Sequence, residues 1–208
     1  MEYRCVATSV EGFVQQLAVA YITHGYWFYV AGTIPDDKDP AAVDAKLVDR
    51  YGIAISKWAR CRRKKRGLAN MQYLRHGRFF VLLATKGRHE FFEREIAMIR
   101  DVRRKSIKFA GYSVGCRKGR DGRWHVSVRV GRELLVGLKL RKTEGSLHRR
   151  SRAFERACAE IRHQPYAPIR RQLHAALRTL SRASRTAGHG PVPVIVLPWA
   201  RRAVQPFS

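Results

Sequence analysis

The stretch MQYLRHGRFFVLLATKG, residues 71–87, contains two short apolar runs separated by the pair His76-Gly77. Glycine beside a polar residue is typical of a tight turn, and short apolar runs are typical of buried strands. We therefore predict a β-hairpin here, with Phe79–Ala84 as a buried second strand. The segments on either side must supply its partner strands and a covering layer, since a sheet buries at least one face.

The upstream segment supplies a further strand and a helix. YWFYVAGTI, residues 26–34, is apolar, aromatic and β-branched, which is the composition of a strand buried on both faces. Asp39 then occupies the expected cap position of a helix, with Pro40 at its first turn and Gly52 at its end. The first 24 residues are only mildly amphipathic and predict no definite element.

The downstream segment predicts a second helix and a second hairpin. In HEFFEREIAMIRDVRR, residues 89–104, helical spacing places Phe92, Ile96 and Ile99 on one face. In SIKFAGYSVGCRKGRDGRWHVSVRV, residues 106–130, GRDG predicts the turn. In the strand that follows, His125, Ser127 and Arg129 alternate with apolar residues and share one face. Such a face is either an ordinary polar sheet surface or a surface for a ligand.

Two basic helices and an apolar tail complete the chain. Residues 146–162 predict the first helix, and residues 167–188 predict the second, which begins near Pro168. The second helix has an apolar stripe at Ile169, Leu173, Ala176, Leu177 and Leu180. Its opposite stripe is Arg171, His174, Arg178, Arg182 and Arg185. The short run PVPVIVLPW then predicts a strand.

This order of elements predicts an α+β fold. Strand, helix, two strands, helix and two strands allow an antiparallel, ferredoxin-like sheet with helices on one face, followed by a C-terminal helical extension. The expected organisation is an N-terminal segment (1–24), an α+β nucleic-acid-binding core (25–144), a basic helical hairpin (145–190) and a C-terminal strand and tail (191–208).

Charge is the strongest functional signal in the sequence. Forty-two Lys and Arg face sixteen Asp and Glu, a formal net charge of +26 over 208 residues. Such a surface repels itself, and a polyanion relieves the repulsion because each neutralised phosphate releases counterions. No apolar run is long enough to span a bilayer and no signal peptide is recognisable, so we expect a cytoplasmic protein that does not enter membranes.

The cations are concentrated where acids are absent. KWARCRRKKRG, residues 57–67, predicts a short helix, and residues 50–88 contain no Asp or Glu. The residues predicted to bind nucleic acid are Lys57, Trp58, Arg60, Arg62, Arg63, Lys64, Lys65, Arg66, Tyr73, Arg75, Arg78, Arg117, Lys118, Arg120, Arg123, Arg129, Arg171, Arg178, Arg182 and Arg185. Cations would contact phosphates. Trp58 and Tyr73 would either stack on bases or belong to the core. The last helix would contact either phosphates or the acidic segment 36–49.

Catalytic candidates are His125 and Tyr166. The predicted topology resembles the single-strand nickases and transposases that use two histidines on a strand and a nucleophilic tyrosine. On that resemblance Tyr166 would be the nucleophile and His125 one histidine, with Ser127 where the second would stand. The four cysteines have no close-spaced pair, so we expect no structural metal, and no phosphate-loop or dinucleotide motif indicates a cofactor.

These observations favour an RNA-binding protein that engages a structured RNA inside a ribonucleoprotein, together with a further protein partner. The alternatives are a DNA-nicking endonuclease of a mobile element, and a duplex-DNA-binding protein that uses its last helix.

Overall fold

The computed structural model describes residues 3–133, 135, 166–186 and 204–207. Its helices are α1 (Val10–Gln15), α2 (Pro40–Arg50), α3 (Lys57–Lys65), α4 (Phe91–Arg94) and α5 (Ala167–Thr186). Its strands are β1 (Phe28–Thr33), β2 (Met71–His76), β3 (Phe79–Ala84), β4 (Arg100–Asp101), β5 (Ile107–Phe109), β6 (Tyr112–Lys118) and β7 (Trp124–Val130). The α+β prediction is confirmed. The predicted helix over residues 146–162 and the strand in PVPVIVLPW lie outside the described residues.

The chain divides into two compact units, which are described separately. The first contains the described residues up to 107, together with 114–127 and 204–207. The second contains 108–113 and the described residues of 128–186. No helix within these described segments is long and apolar enough to cross a membrane.

A four-stranded antiparallel sheet in the order β2-β3-β1-β4 organises the first unit. The predicted hairpin is present, with Gly77 and Arg78 between its strands and His76 opposite Phe79. Strands β1 and β2 run in the same direction with β3 between them, so the connection through α2 and α3 is a split β-α-β unit. The ferredoxin-like prediction is not confirmed for the fold as a whole, because the later strands β5-β6-β7 form a separate sheet.

Both faces of the four-stranded sheet are covered, in contrast to the predicted layer of helices on one face. Strand β3 is buried along Val81, Leu82, Leu83 and Ala84. Leu82 and Ala84 belong to a core cluster that includes Tyr51, Ile53 and Phe91. Alternate residues point to the opposite face, where the ring of Phe79 packs edge-on against Phe13 of α1 at 5.8 Å.

The N-terminal segment is therefore part of the core. From α1 it continues as a π-helical turn (Gln16–Tyr21) and a 3₁₀ turn (Ile22–His24), with Leu17 and Ile22 fully buried. Before it, Cys5 and Ala7 exchange backbone hydrogen bonds with Arg75, which covers the outer edge of β2. That edge would otherwise present unpaired amide and carbonyl groups.

The predicted helix over residues 89–104 is wrong beyond its first turn. Helix α4 ends at Arg94, and Ile96, expected in the core, is 77% exposed. The chain leaves the helix because Arg100 and Asp101 pair with Tyr29 and Phe28 at the other edge of β1. Closing that sheet edge satisfies more backbone groups than the last turns of an isolated helix would.

The second unit contains α5, which follows the predicted period. Ile169, Leu173 and Ala176 are buried, while Arg171, Arg178, Arg182 and Arg185 are exposed and His174 is half-buried. The side-chain amide of Gln172 bonds both backbone groups of Val130, accepting from its N–H at 2.9 Å and donating to its C=O at 3.2 Å. This pairing attaches α5 to strand β7.

Candidate nucleic-acid interface

Helix α3 projects from the first unit with little apolar anchoring. Ser56 caps its first turn by accepting from the N–H of Ala59 at 3.2 Å, and none of its residues is fully buried. The Arg60 guanidinium donates to the carbonyl of Ile53 at 3.2 Å, and Arg63 Nε donates to the carbonyl of Ala69 at 3.3 Å. These two arginines therefore face the protein and hold the helix through polar contacts.

The opposite side of α3 is cationic and carries one large ring. Trp58 is 75% exposed, and Arg62 and Lys65 follow at the spacing that places side chains on the same helical face. Lys57, Lys64 and Arg66 are also exposed. Among the residues that the structure describes, none of these five cations is in an ion pair, and Trp58 has no ring or cation contact.

A second basic segment lies beside the end of α3 and was absent from the predicted site. The N–H of Arg88 donates to Gly67 O at 3.0 Å, and Ala69 N–H donates to Arg88 O at 3.1 Å. A Cβ at Gly87 would come within 2.5 Å of Ala69 N, so only glycine allows this approach. Exposed Lys86 and Arg88 thereby join the surface. The only sequence signal for them is their place at the end of the acid-free run.

We define the α3 basic face as Lys57, Trp58, Arg62, Lys64, Lys65, Arg66, Lys86 and Arg88. Like charges three or four residues apart, such as Arg62 with Lys65 or Arg66, each cost about 0.2–0.5 kcal/mol. The negative end of the helix dipole offsets part of this cost, because four cations lie in its last turn. The surface can bind an anion at many points, and it contains no carboxylate for acid–base or metal chemistry.

The side chain of His89 is half-buried and close enough to Arg63 to be affected by its charge. Burial, and next the positive charge of Arg63, lower the pKa of the His89 imidazole below its usual value. Its Nδ1 accepts a hydrogen bond from the backbone N–H of Phe91 at 3.1 Å. The ring therefore favours its neutral form and fixes the start of α4 rather than adding another charge to the face.

The structure contradicts the predicted inclusion of Tyr73 in the nucleic-acid-binding site. The ring is completely buried, and its hydroxyl donates to Asp44 Oδ1 at 2.6 Å, so it cannot stack on a base. Arg75 is engaged by the same carboxylate, with Nε donating at 2.8 and 2.9 Å and a terminal nitrogen at 2.7 Å. We call Asp44, Tyr73 and Arg75 the buried charge cluster.

The Arg78 side chain is likewise engaged in hydrogen bonds and an ion pair within the fold. Its guanidinium donates to the carbonyls of Pro35, Asp36 and Lys38 and pairs with the Asp36 carboxylate at 3.1 Å. It holds the β1–α2 loop, so the predicted role in phosphate binding does not fit its surroundings. Asp39 accepts from two N–H groups at the start of α2, as predicted.

The other predicted cations lie on two further surfaces. Arg117, Lys118, Arg120 and Arg123 are exposed at the end of the β6–β7 hairpin, while Arg129 is half-buried. The predicted polar face of β7 does not exist as a continuous surface, because Ser127 is buried. In the second unit, the exposed arginines of α5 form the predicted stripe.

The catalytic candidates lack the surroundings that nicking requires. The hydroxyl oxygen of Tyr166 is buried, so it cannot reach a phosphate in this structure. His125 Nε2 contacts the Asp121 carboxylate at 2.9 Å, and its partner is therefore an acid rather than a second histidine. Within the described residues, no three His, Cys, Asp or Glu side chains come together to hold a metal ion.

No protein-family model matches this chain, and no curated protein or solved structure is significantly similar to it.

Proposed function

We propose that the protein binds RNA through the phosphate backbone, with the α3 basic face as its principal contact surface. The observation that carries the proposal is that, among the described residues, the exposed cations of α3 form no ion pair. They share with an exposed indole a helix that contributes no buried side chain. Cations bind phosphates and release counterions, while an exposed ring can stack on a base.

The distribution of charge favours RNA over duplex DNA. Exposed cations lie on α3, on the β6–β7 hairpin and on α5. A folded RNA presents phosphates in several directions, whereas duplex readers usually place one helix with base-reading side chains in the major groove. We further propose that the protein acts in a ribonucleoprotein with another protein partner. We also propose a cytoplasmic location, since no disulfide joins Cys5, Cys61 or Cys116 among the described residues.

The competing functions rest on weaker support. A nickase needs an accessible nucleophile, and the Tyr166 hydroxyl is buried. Duplex-DNA binding by α5 keeps one favourable observation, the row of exposed arginines at helical spacing. The experiment below separates these possibilities.

The test is direct binding of the nuclease-treated protein to labelled nucleic acids of equal length, measured by fluorescence anisotropy. Structured RNA should bind more tightly than duplex DNA, and polynucleotide that co-purifies with the untreated protein should be sensitive to RNase. Tighter binding of duplex DNA would move the function to the α5 alternative. Absence of binding to any polynucleotide at low ionic strength would overturn the proposal.

A further inference from the structure

The end of the β6–β7 hairpin is a second basic surface that lies next to an exposed tryptophan. Strand β6 ends at Lys118 and β7 begins at Trp124, with the turn closed by a hydrogen bond from Gly119 N–H to Arg123 O at 2.8 Å. Trp124 is 43% exposed. The exposed cations of this end are Arg117, Lys118, Arg120 and Arg123.

The turn contains one acidic residue, Asp121, whose carboxylate is already engaged within the hairpin. The Asp121 carboxylate contacts His125 Nε2 at 2.9 and 3.0 Å and accepts from the N–H of Arg123 at 3.1 Å. The hydrogen bond from His125 lowers the pKa of Asp121, so this carboxylate stays ionised beside the imidazole. Neighbouring residues of a strand point to opposite faces, so Arg123 and His125, the partner of Asp121, point away from Trp124. A Cβ at Gly119 would meet His125, which places Arg117 on that same face and Lys118 on the face of Trp124.

The Trp124 ring lies near Arg103, an arginine whose charge is already paired with the Asp101 carboxylate. Arg103 pairs with both oxygens of Asp101, its Nε donating at 2.9 and 3.0 Å. Its guanidinium carbon lies 4.3 Å from the centroid of the Trp27 ring and 5.9 Å from that of Trp124. The guanidinium therefore lies over Trp27 and at the outer limit of cation–π distance from Trp124, a contact that favours one orientation of the Trp124 ring.

This arrangement suits an unstacked base better than a duplex. A ring that is already oriented loses little conformational entropy when it stacks on a ligand. Bases inside a duplex have both faces covered by their neighbours, whereas bases of a single strand offer a free face, and their phosphates lie within reach of flanking cations. Trp58 differs from Trp124 in this respect, because no described residue makes a ring or cation–π contact with its side chain.

We propose that the hairpin end is a single-strand site, where Trp124 stacks on an unpaired base of RNA while Lys118 and the turn residue Arg120 contact the adjoining phosphates. Trp27 and Arg103 are positioning residues for the Trp124 ring. The proposal rests on the RNA-binding function proposed above and adds a preference for single-stranded segments.

The test compares Trp124→Ala with Trp124→Phe, using an unstructured oligoribonucleotide and an RNA duplex of equal length. Trp124→Ala should weaken binding of the single strand roughly tenfold or more and change duplex binding less than about twofold, since stacking is removed only in the first case. Trp124→Phe, which keeps a ring, should retain most of the affinity. Equal losses of affinity for both RNAs, or no loss, would overturn the single-strand site while leaving RNA binding intact.

A second measurement uses only the wild-type protein and therefore does not require any variant to fold. The wild-type protein is irradiated with an oligoribonucleotide carrying 5-iodouridine, which crosslinks to stacked aromatic side chains, and the crosslinked peptide is identified. Attachment at Trp124 is the expected result. Attachment only within the α3 basic face would contradict the hairpin site, and wild-type protein that binds no RNA would remove the proposed function itself.

Discussion

Two groups of cations in the first unit differ in what neutralises their charge. Arg75 and Arg103 each share two hydrogen bonds or more with a carboxylate in a partly or wholly buried position. The cations of the α3 basic face have no carboxylate partner among the described residues. Asp44 and Asp101 therefore fix particular arginines within the fold, whereas the ligand that we propose for the α3 basic face would supply its missing counter-charge.

The largest effect should come from breaking the buried charge cluster. Arg75→Ala leaves the Asp44 carboxylate buried, with the Tyr73 hydroxyl but without its counter-charge. Removal of one partner of such a pair costs about 3–5 kcal/mol of unfolding free energy. Urea unfolding of the two proteins measures the difference. Arg62→Ala is the matched control and should lower the unfolding free energy by at most about 0.5 kcal/mol. Equal losses for the two variants would mean that the two groups of cations do not differ in their contribution to stability.

The same cluster predicts a loss of stability in alkaline solution. Burial, followed by the hydrogen bond to Asp44, raises the pKa of Tyr73 above its usual value of 10. The unfolded chain then releases this proton near pH 10 while the folded protein retains it, so stability is complete below pH 10 and falls as pH rises above it. Tyr73 should contribute a fall of about 1.4 kcal/mol per pH unit.

Tyr73→Phe isolates that contribution, because the other buried tyrosines remain. The variant should be less stable than the wild type at neutral pH, since it lacks the hydroxyl that donates to Asp44. Its unfolding free energy should fall less steeply between pH 10 and pH 11. Parallel curves for the two proteins would show that Tyr73 ionises equally in both states.

The smallest effect on stability is expected on α3. Changing Arg62, Lys64, Lys65 and Arg66 to Gln removes like-charge repulsion and also removes favourable interactions with the helix dipole. These terms oppose each other, so unfolding free energy should change by less than about 1 kcal/mol. Arg63 stays unchanged because it holds the helix to Ala69. A destabilisation as large as that of Arg75→Ala in the same urea experiment would mean that these cations stabilise the fold.

The elements that sequence predicts correctly are those set by local signals. The Asp39-Pro40 start of α2 and the His76-Gly77 turn of the β2–β3 hairpin need no knowledge of distant residues. The helix expected over residues 89–104 fails for the opposite reason. Its apolar period is real, but pairing of Arg100 and Asp101 with β1 is a long-range contact that overrides it.

The residues of the candidate site also divide into those that local sequence predicts and those that depend on long-range contacts. Exposure of the α3 cations follows from composition, since so many charges on one short helix cannot all be buried. The burial of Tyr73 and Arg75 could not be foreseen, because their partner Asp44 lies 29 and 31 positions away in the chain. Nor could the sequence show that a glycine at position 87 brings Lys86 and Arg88 beside α3.

The salt dependence of RNA binding tests the central claim most directly. The α3 variant with Arg62, Lys64, Lys65 and Arg66 changed to Gln is compared with a control in which Arg4, Lys38, Lys46 and Arg94 are changed to Gln. Each variant loses four positive charges from exposed positions. With a single-stranded RNA, the slope of log Kobs against log salt concentration should become shallower by about 0.7 for each phosphate that α3 no longer neutralises, and it should stay near the wild-type value in the control. Equal slopes for the two variants would contradict a phosphate-binding role for the α3 basic face.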